Sequence, residues 1–199
     1  MSDRPADSAK RTWIIASGCA GAVGAGFAAV PFVSSFMPSE RARAAGASVE
    51  VDISGLKAGE KLTVEWRGKP VWIIKRTPEQ VAGLPKIDPQ LADPASKRNP
   101  DELTPEYARN EHRSIKPEIM VAVGICTHLG CSPSDKFTPG PQPSLPDDWV
   151  GGFLCACHGS TFDLAGRVFK NKPAPDNLEV PPHMYVSDTV LLIGSDKKA

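Results

Sequence analysis

The chain divides into two unlike parts by its pattern of apolar and polar positions. From Thr12 to Met37, TWIIASGCAGAVGAGFAAVPFVSSFM, 26 residues pass without a charge. As a helix this run spans about 39 Å, more than the roughly 30 Å hydrocarbon core of a bilayer. It is also far longer than the apolar region of a cleaved secretory signal. The pattern predicts a single, tilted transmembrane helix over residues 12–37, preceded by a cytoplasmic segment, 1–11. Gly18, Ala22 and Gly26 recur every four residues along one face, where small side chains admit a neighbouring helix. Residues 38–48, PSERARAAGAS, are mostly small or charged and read as a flexible hinge reaching about 36 Å when extended.

From Val49 the period changes to two. VEVDI (49–53), KLTVEW (61–66) and PVWII (70–74) alternate or run apolar between the turn signals SGLKAGE and RGK. Strand character returns in IMVAVGI (119–125), GGFLC (151–155), GRVFK (166–170), LEV (178–180), MYV (184–186) and TVLLIG (189–194). Twenty prolines and seventeen glycines fit short strands joined by turns. The expected fold is mainly β: the amino-terminal transmembrane helix followed by an all-β head, 49–199, of about ten short strands in small antiparallel sheets. Residues 77–117 interrupt the pattern, with a short helix near 78–83 and otherwise the length of a functional insertion or a surface wrap.

Charge narrows the partners by exclusion. Lys plus Arg, 23, balance Asp plus Glu, 23, so no basic field argues for nucleic acid. The basic flanks of the apolar run, Arg4, Lys10 and Arg11 before it and Arg41 and Arg43 after it, favour a cytoplasmic amino terminus by three to two. Lys10-Arg11, followed by Thr12, Trp13 and two isoleucines, resembles a Lys-Arg variant of a twin-arginine export signal. A head exported by that route crosses already folded, which suits a domain that receives a cofactor first.

The candidate chemistry sits in two turns. Of five cysteines, Cys19 lies inside the apolar run, where it reads as a small buried side chain. The other four fall in CTHLGC (126–131) and CACH (155–158), with His128 and His158. Three chemistries compete. A zinc site uses Cys and His but needs four ligands where six stand ready. Two disulfides use the cysteines and leave both histidines unexplained. A 2Fe-2S centre holding one iron by two thiolates and the other by two imidazoles takes one Cys and one His from each turn.

CTHLGC followed by CACHGS is similar to the two cluster-binding motifs of the high-potential Rieske iron-sulfur proteins of respiratory cytochrome bc complexes. LAGRVFK and KPAPDNLEVPP (172–182) resemble that family's stretch after the second motif, and one anchor followed by a small-residue hinge matches its layout. The resemblance covers most of the chain and is weakest over 77–117. It implies a Rieske head with a cluster-binding subdomain (loops about 124–133 and 153–162, proline loop 172–175). Cys126 and Cys155 become thiolate ligands and His128 and His158 imidazole ligands, while Cys131 and Cys157 become a disulfide pair. It also implies that Leu129 and Pro173 shield the cluster and that Ser160 donates to a bridging sulfide. His112 and His183 match no motif position and read as surface or structural residues.

Neutral imidazoles in place of two thiolates raise the potential of such a centre to about −150 to +300 mV, against about −400 mV for an all-cysteine ferredoxin. That range suits electrons from a quinol, and an imidazole nitrogen turned away from iron can carry the proton. The resemblance therefore implies a quinol-cytochrome c reductase subunit on the periplasmic side of a bacterial inner membrane. Its implied partners are ubiquinol, cytochrome b, a c-type cytochrome and the lipid bilayer, in a dimeric complex, with His158 and His128 at the quinol. Two other readings stay open: a Rieske subunit of another quinol- or arsenite-oxidising complex, and a membrane-anchored zinc or disulfide structural module. Phe162 departs from the pattern, because many members place a tyrosine there whose hydroxyl bonds a ligand sulfur. Its absence predicts a lower midpoint potential.

Overall fold

The computed structural model describes residues 7–39 and 46–196 and divides the chain between residues 44 and 45 into two compact units. Hinge residues 40–45 lie outside the described residues. In the first unit, helix α1 runs Ser8–Ser34. It begins before the apolar run because Asp7 caps it, its Oδ1 accepting from the backbone N–H of Ala9 at 3.1 Å and of Lys10 at 3.4 Å. Its 27 residues are long and apolar enough to cross a membrane. Cys19 is exposed on it.

The second unit is three small antiparallel sheets. β1 (Val49–Asp52) pairs with β9 (Val190–Ile193), which pairs with β8 (His183–Ser187). β2 (Lys61–Trp66), β3 (Lys69–Lys75) and β4 (Ile119–Val123) form the second sheet. β5 (Ser134–Lys136), β6 (Gly152–Cys155) and β7 (Ser160–Asp163) form the third. The first two sheets share a core that includes Val51, Trp66, Val71, Ile73, Val121, Leu191 and Ile193. A second core, containing Trp72, Met120, Phe153, Phe162 and Leu178, joins the β2–β3–β4 sheet to the third sheet and includes Cys126 and Cys155. Alternate residues of β3 and β4 thus serve two cores, which is why both strands read as continuous apolar runs.

Two expected strands are absent. GRVFK does not extend a sheet because the Asp163 carboxylate captures the backbone N–H of Ala165 and of Arg167, at 2.9 and 2.7 Å, closing a tight turn through Gly166 at φ +70°. Only single bridges remain, from Val168 to Phe162 and from Phe169 to Leu91. LEV spends its bonds on three separate segments: Leu178 N–H on Gly166, Val180 N–H on Leu103, and the Glu179 carbonyl on Val123. Two strands were not expected. β5 is short and polar, and β7 lies in the second cysteine motif, whose turn residues hide it.

Residues 77–117 are more than a surface wrap. Helix α2 (Pro78–Gly83) forms where expected, closed by a capping box between Thr77 and Gln80. Beyond it, Asp93 accepts from the backbone N–H of Lys97 and Arg98, and Arg113 is wholly buried. Asn177, which follows the proline loop, donates to the Asp93 carbonyl and the Ser96 hydroxyl while its side-chain oxygen accepts from Val168 N–H. The insertion is thus a cradle under the third sheet.

His183 is buried at 1% exposure, with Nδ1 2.8 Å from the Pro181 carbonyl and Nε2 unpartnered among the described residues. Burial pushes its pKa below the ordinary 6.5, partly offset by the Pro181 carbonyl. The unfolded chain therefore takes up this proton at a higher pH than the folded head does. Stability is fully present above about 6.5 and is lost as pH falls below it. Denaturant unfolding at pH 7 and pH 5 should show this loss, with a shallower pH slope in His183→Gln; an unchanged slope means His183 titrates normally in the fold.

Candidate metal centre

The first motif leaves β4, whose five residues are all buried, through Gly124. Val123 and Gly124 donate their N–H groups to Glu179 and Pro70, at 2.8 Å each, so the backbone is fixed before the motif begins. A Cβ on Gly124 would lie inside the Trp72 indole, and that indole stacks on Phe153 at 4.7 Å. Only a glycine lets the strand pass this close. The loop then closes on itself, with Cys126 N–H to Cys131 carbonyl at 2.8 Å and Gly130 N–H to Cys126 carbonyl at 3.0 Å.

The second motif is the hairpin between β6 and β7. Cys155 and Ser160 are its last paired residues, and Gly159, at φ +77°, donates to the Cys155 carbonyl at 2.9 Å to turn the chain. A third segment, the proline loop, is tied to both turns. Ala174 N–H donates to the Ser160 hydroxyl oxygen at 2.9 Å, and the Thr127 hydroxyl donates to the Asp176 carbonyl at 2.7 Å.

Cys131 and Cys157 are joined by a disulfide, their Cα atoms 6.7 Å apart. Cys126 and Cys155 are free and buried, each 2% exposed, and the Cys155 sulfur lies within 4.8 Å of both bridge sulfurs. The rings of His128 and His158 meet edge to face, 4.7 Å between centroids. His158 is exposed, His128 half-buried, and Leu129 between the motif residues is 70% exposed. That exposure removes core packing as the role of Leu129. Pro173 is also exposed, while Ala174 beside it is buried. Phe162 is wholly buried in the core that holds both free thiols.

The donor set fits a two-iron centre with mixed ligands. The bridge removes two of the six candidates and leaves two thiols inside and two imidazoles outside, one of each from either turn. Burial pushes the Cys126 thiol up; the His128 backbone N–H opposes this, the neighbouring Cys155 thiol adds to it, and the Ser160 hydroxyl opposes it again. A thiolate at this depth requires positive charge beside it, which a metal supplies. Two features escaped the sequence reading. Gly124 looked like a strand residue, and its signal was the Trp72 it must clear, 52 positions away. Thr127 was one undistinguished letter within the motif.

Comparison with known proteins agrees with this geometry. The Rieske [2Fe-2S] domain profile matches residues 106–182, and the profile described as "Ubiquitinol-cytochrome C reductase Fe-S subunit TAT signal" matches 13–39. The ubiquinol-cytochrome c reductase iron-sulfur subunit of Allochromatium vinosum is 57% identical over 188 residues, 94% of this chain and 89% of that protein. The subunits of the same name from Rhodospirillum rubrum and Bradyrhizobium diazoefficiens are each 39% identical, covering 94% and 90% of this chain and 93% and 90% of their own length. The chain belongs to the family of Rieske iron-sulfur subunits of ubiquinol-cytochrome c reductase, the cytochrome bc1 complex, and its cofactor is a Rieske-type [2Fe-2S] cluster.

Because Gly124 is packed against Trp72, Gly124→Ala should cost about 1–3 kcal/mol by overpacking and reduce the iron retained per chain. Thermal unfolding and iron content measure both. Adding Trp72→Phe, which shortens the ring, should recover part of each; no recovery would mean that the clash lies elsewhere.

Proposed function

We propose that this chain is the electron-transfer subunit of a quinol:cytochrome c oxidoreductase in a bacterial inner membrane, taking one electron from ubiquinol and delivering it to a c-type cytochrome. The observation that carries the reading is the pair of imidazoles side by side at the exposed tip above two buried thiols. Cys126 and Cys155 would hold one iron and His128 and His158 the other. When bound, the cluster supplies a one-electron acceptor whose neutral ligands place its potential within reach of a quinol.

The residues around it divide the remaining work. His158, exposed, accepts the hydrogen bond and then the proton of the quinol hydroxyl at the ring nitrogen not committed to iron, with His128 beside it. Leu129 offers an apolar contact to the quinol ring and excludes water from the tip. Pro173 covers the opposite side, on a loop held down by the bonds to Ser160 and Thr127. Ser160, whose oxygen accepts from Ala174, has a single hydroxyl proton that acts on the Cys126 sulfur here and would serve a cluster sulfide once the cluster is bound. Withdrawing charge from sulfur in this way raises the potential. Ubiquinol gives up two electrons and this chain takes one, so cytochrome b receives the other. The names of the relatives support ubiquinol and cytochrome c as the two substrates.

The apolar helix supports a single membrane anchor, with residues 1–11 in the cytoplasm, 12–37 across the bilayer and the head, 49–199, in the periplasm. The match to an export-signal profile supports that side. Segment 38–48 is the hinge on which the head travels from quinol to cytochrome, within a dimeric complex.

Replacing several hinge residues by proline should abolish quinol-driven cytochrome c reduction while leaving the electron paramagnetic resonance signal of the reduced cluster unchanged. Full turnover in the stiffened variant rules out a travelling head. Phe162→Tyr should raise the midpoint potential by returning a donor to the wall of the thiol core. A potential that stays or falls would show that the ring edge does not face a ligand sulfur.

A further inference from the structure

Beside the third sheet the head buries three guanidinium groups, Arg76, Arg113 and Arg167, each 2% exposed or less. Arg167 is matched by acids: its Nε donates to Asp163 at 2.8 Å and its Nη1 to Asp88 at 2.7 Å. Arg76 and Arg113 are not. Arg76 donates to the carbonyls of His112 and Leu164 and to the Ser114 hydroxyl. Arg113 donates to the carbonyls of Ala165, Gly166 and Leu178 and to the Thr104 hydroxyl. All of these acceptors are neutral, and the Nε of each arginine has no partner among the described residues. The acid acting most strongly on both is Asp163, which Arg167 already engages, followed by Asp93 for Arg113 and the exposed Glu118 for Arg76.

Two buried cations with no hydrogen-bonded counter-charge among the described residues are costly in a fold held otherwise by apolar cores. Their position gives them a use. A Cβ on Gly166 would stand 3.2 Å from each of Arg113 Nη1, Leu178 Cβ and Met120 Cε, so the Arg113 guanidinium and these two side chains meet at one point. Leu178 and Met120 belong to the core that contains Cys126 and Cys155. The Arg113 guanidinium therefore borders the same apolar core that holds the buried thiols, and a low-dielectric core screens its field less than water does.

We propose that Arg113, together with Arg76, is a positioning residue for the redox reaction: buried positive charge at the edge of the thiol core raises the midpoint potential and so sets how far the quinol can drive its electron. The proposal rests on Cys126, His128, Cys155 and His158 holding the cluster. One electron enters from the quinol and adds one negative charge at the centre, the proton that leaves the quinol hydroxyl goes to His158 at the exposed tip, and no other protein bond forms or breaks. A fixed cation nearby lowers the free energy of the more negative state.

The test is a redox titration of the full-length protein carrying its cluster, read by electron paramagnetic resonance. Arg113→Gln and Arg76→Gln should each lower the midpoint potential. Arg113→Lys, which keeps the charge and alters the hydrogen bonds, should stay near the parent value. Asp88→Asn, at a half-exposed edge, removes a neutralising charge from Arg167 and should raise the potential. A Gln variant with the parent spectrum and an unchanged potential overturns the proposal, as does an equal shift in Gln and Lys variants, which a purely structural arginine would give. If the Arg variants fail to retain the cluster, Asp88→Asn decides, because an unchanged or lowered potential there overturns it as well. Absence of a Rieske signal from the parent protein would instead refute the ligand assignment.

Discussion

Cys131 and Cys157 stand 26 residues apart, and the bond between them holds two turns face to face at the end of the head. Each turn is internally closed, by Gly130 N–H on Cys126 in one and Gly159 N–H on Cys155 in the other. Closing a loop of this length removes roughly 3 to 4 kcal/mol of unfolded-chain entropy. Its greater consequence is chemical. With two sulfurs committed to each other, the two remaining thiols and the two imidazoles are left as the proposed ligand set, with thiols buried and His158 exposed. The function proposed above would use that asymmetry, with sulfur shielded from water and imidazole within reach of a substrate hydroxyl.

The turns stay in place because other segments hold their bases. The proline loop is bonded to Thr127 in the first turn and to Ser160 in the second, and Asn177 behind it is bonded to Asp93 and Ser96 of the long insertion. Arg113, also from the insertion, gathers the carbonyls of Ala165, Gly166 and Leu178 from both segments that follow the second motif. A forty-residue excursion with no chemistry of its own thus becomes the support of the chemical tip. It also brings in a buried cation, so mechanical support and electrostatics reside in the same side chain.

The resemblance carried by the cysteine motifs led to the proposed ligands, and periodicity located most strands of the sheets, but neither reached the segments between them. GRVFK has the composition of a strand, yet the Asp163 side chain takes the backbone donors that a ladder would need. LEV has it too, yet its hydrogen bonds go to three different partners. Both failures have one cause: strand propensity describes a side chain's fit to a pleated surface, while a sheet also needs a neighbour in register. The insertion was opaque for the converse reason, since its buried groups are polar and leave no apolar period to detect.

What the sequence determined by itself was local or compositional: the 26-residue apolar run, the change to period two at Val49, and two Cys-His clusters whose spacing admits iron. These depend on neighbours in the chain, and one strand of letters contains them. Tertiary structure alone decided that Gly124 must clear Trp72, that Leu129 faces outward, and that Arg76 and Arg113 lie buried with no hydrogen-bonded carboxylate among the described residues. Each of those depends on what a residue meets across the fold, where burial converts a common glycine or arginine into a steric requirement or a source of field.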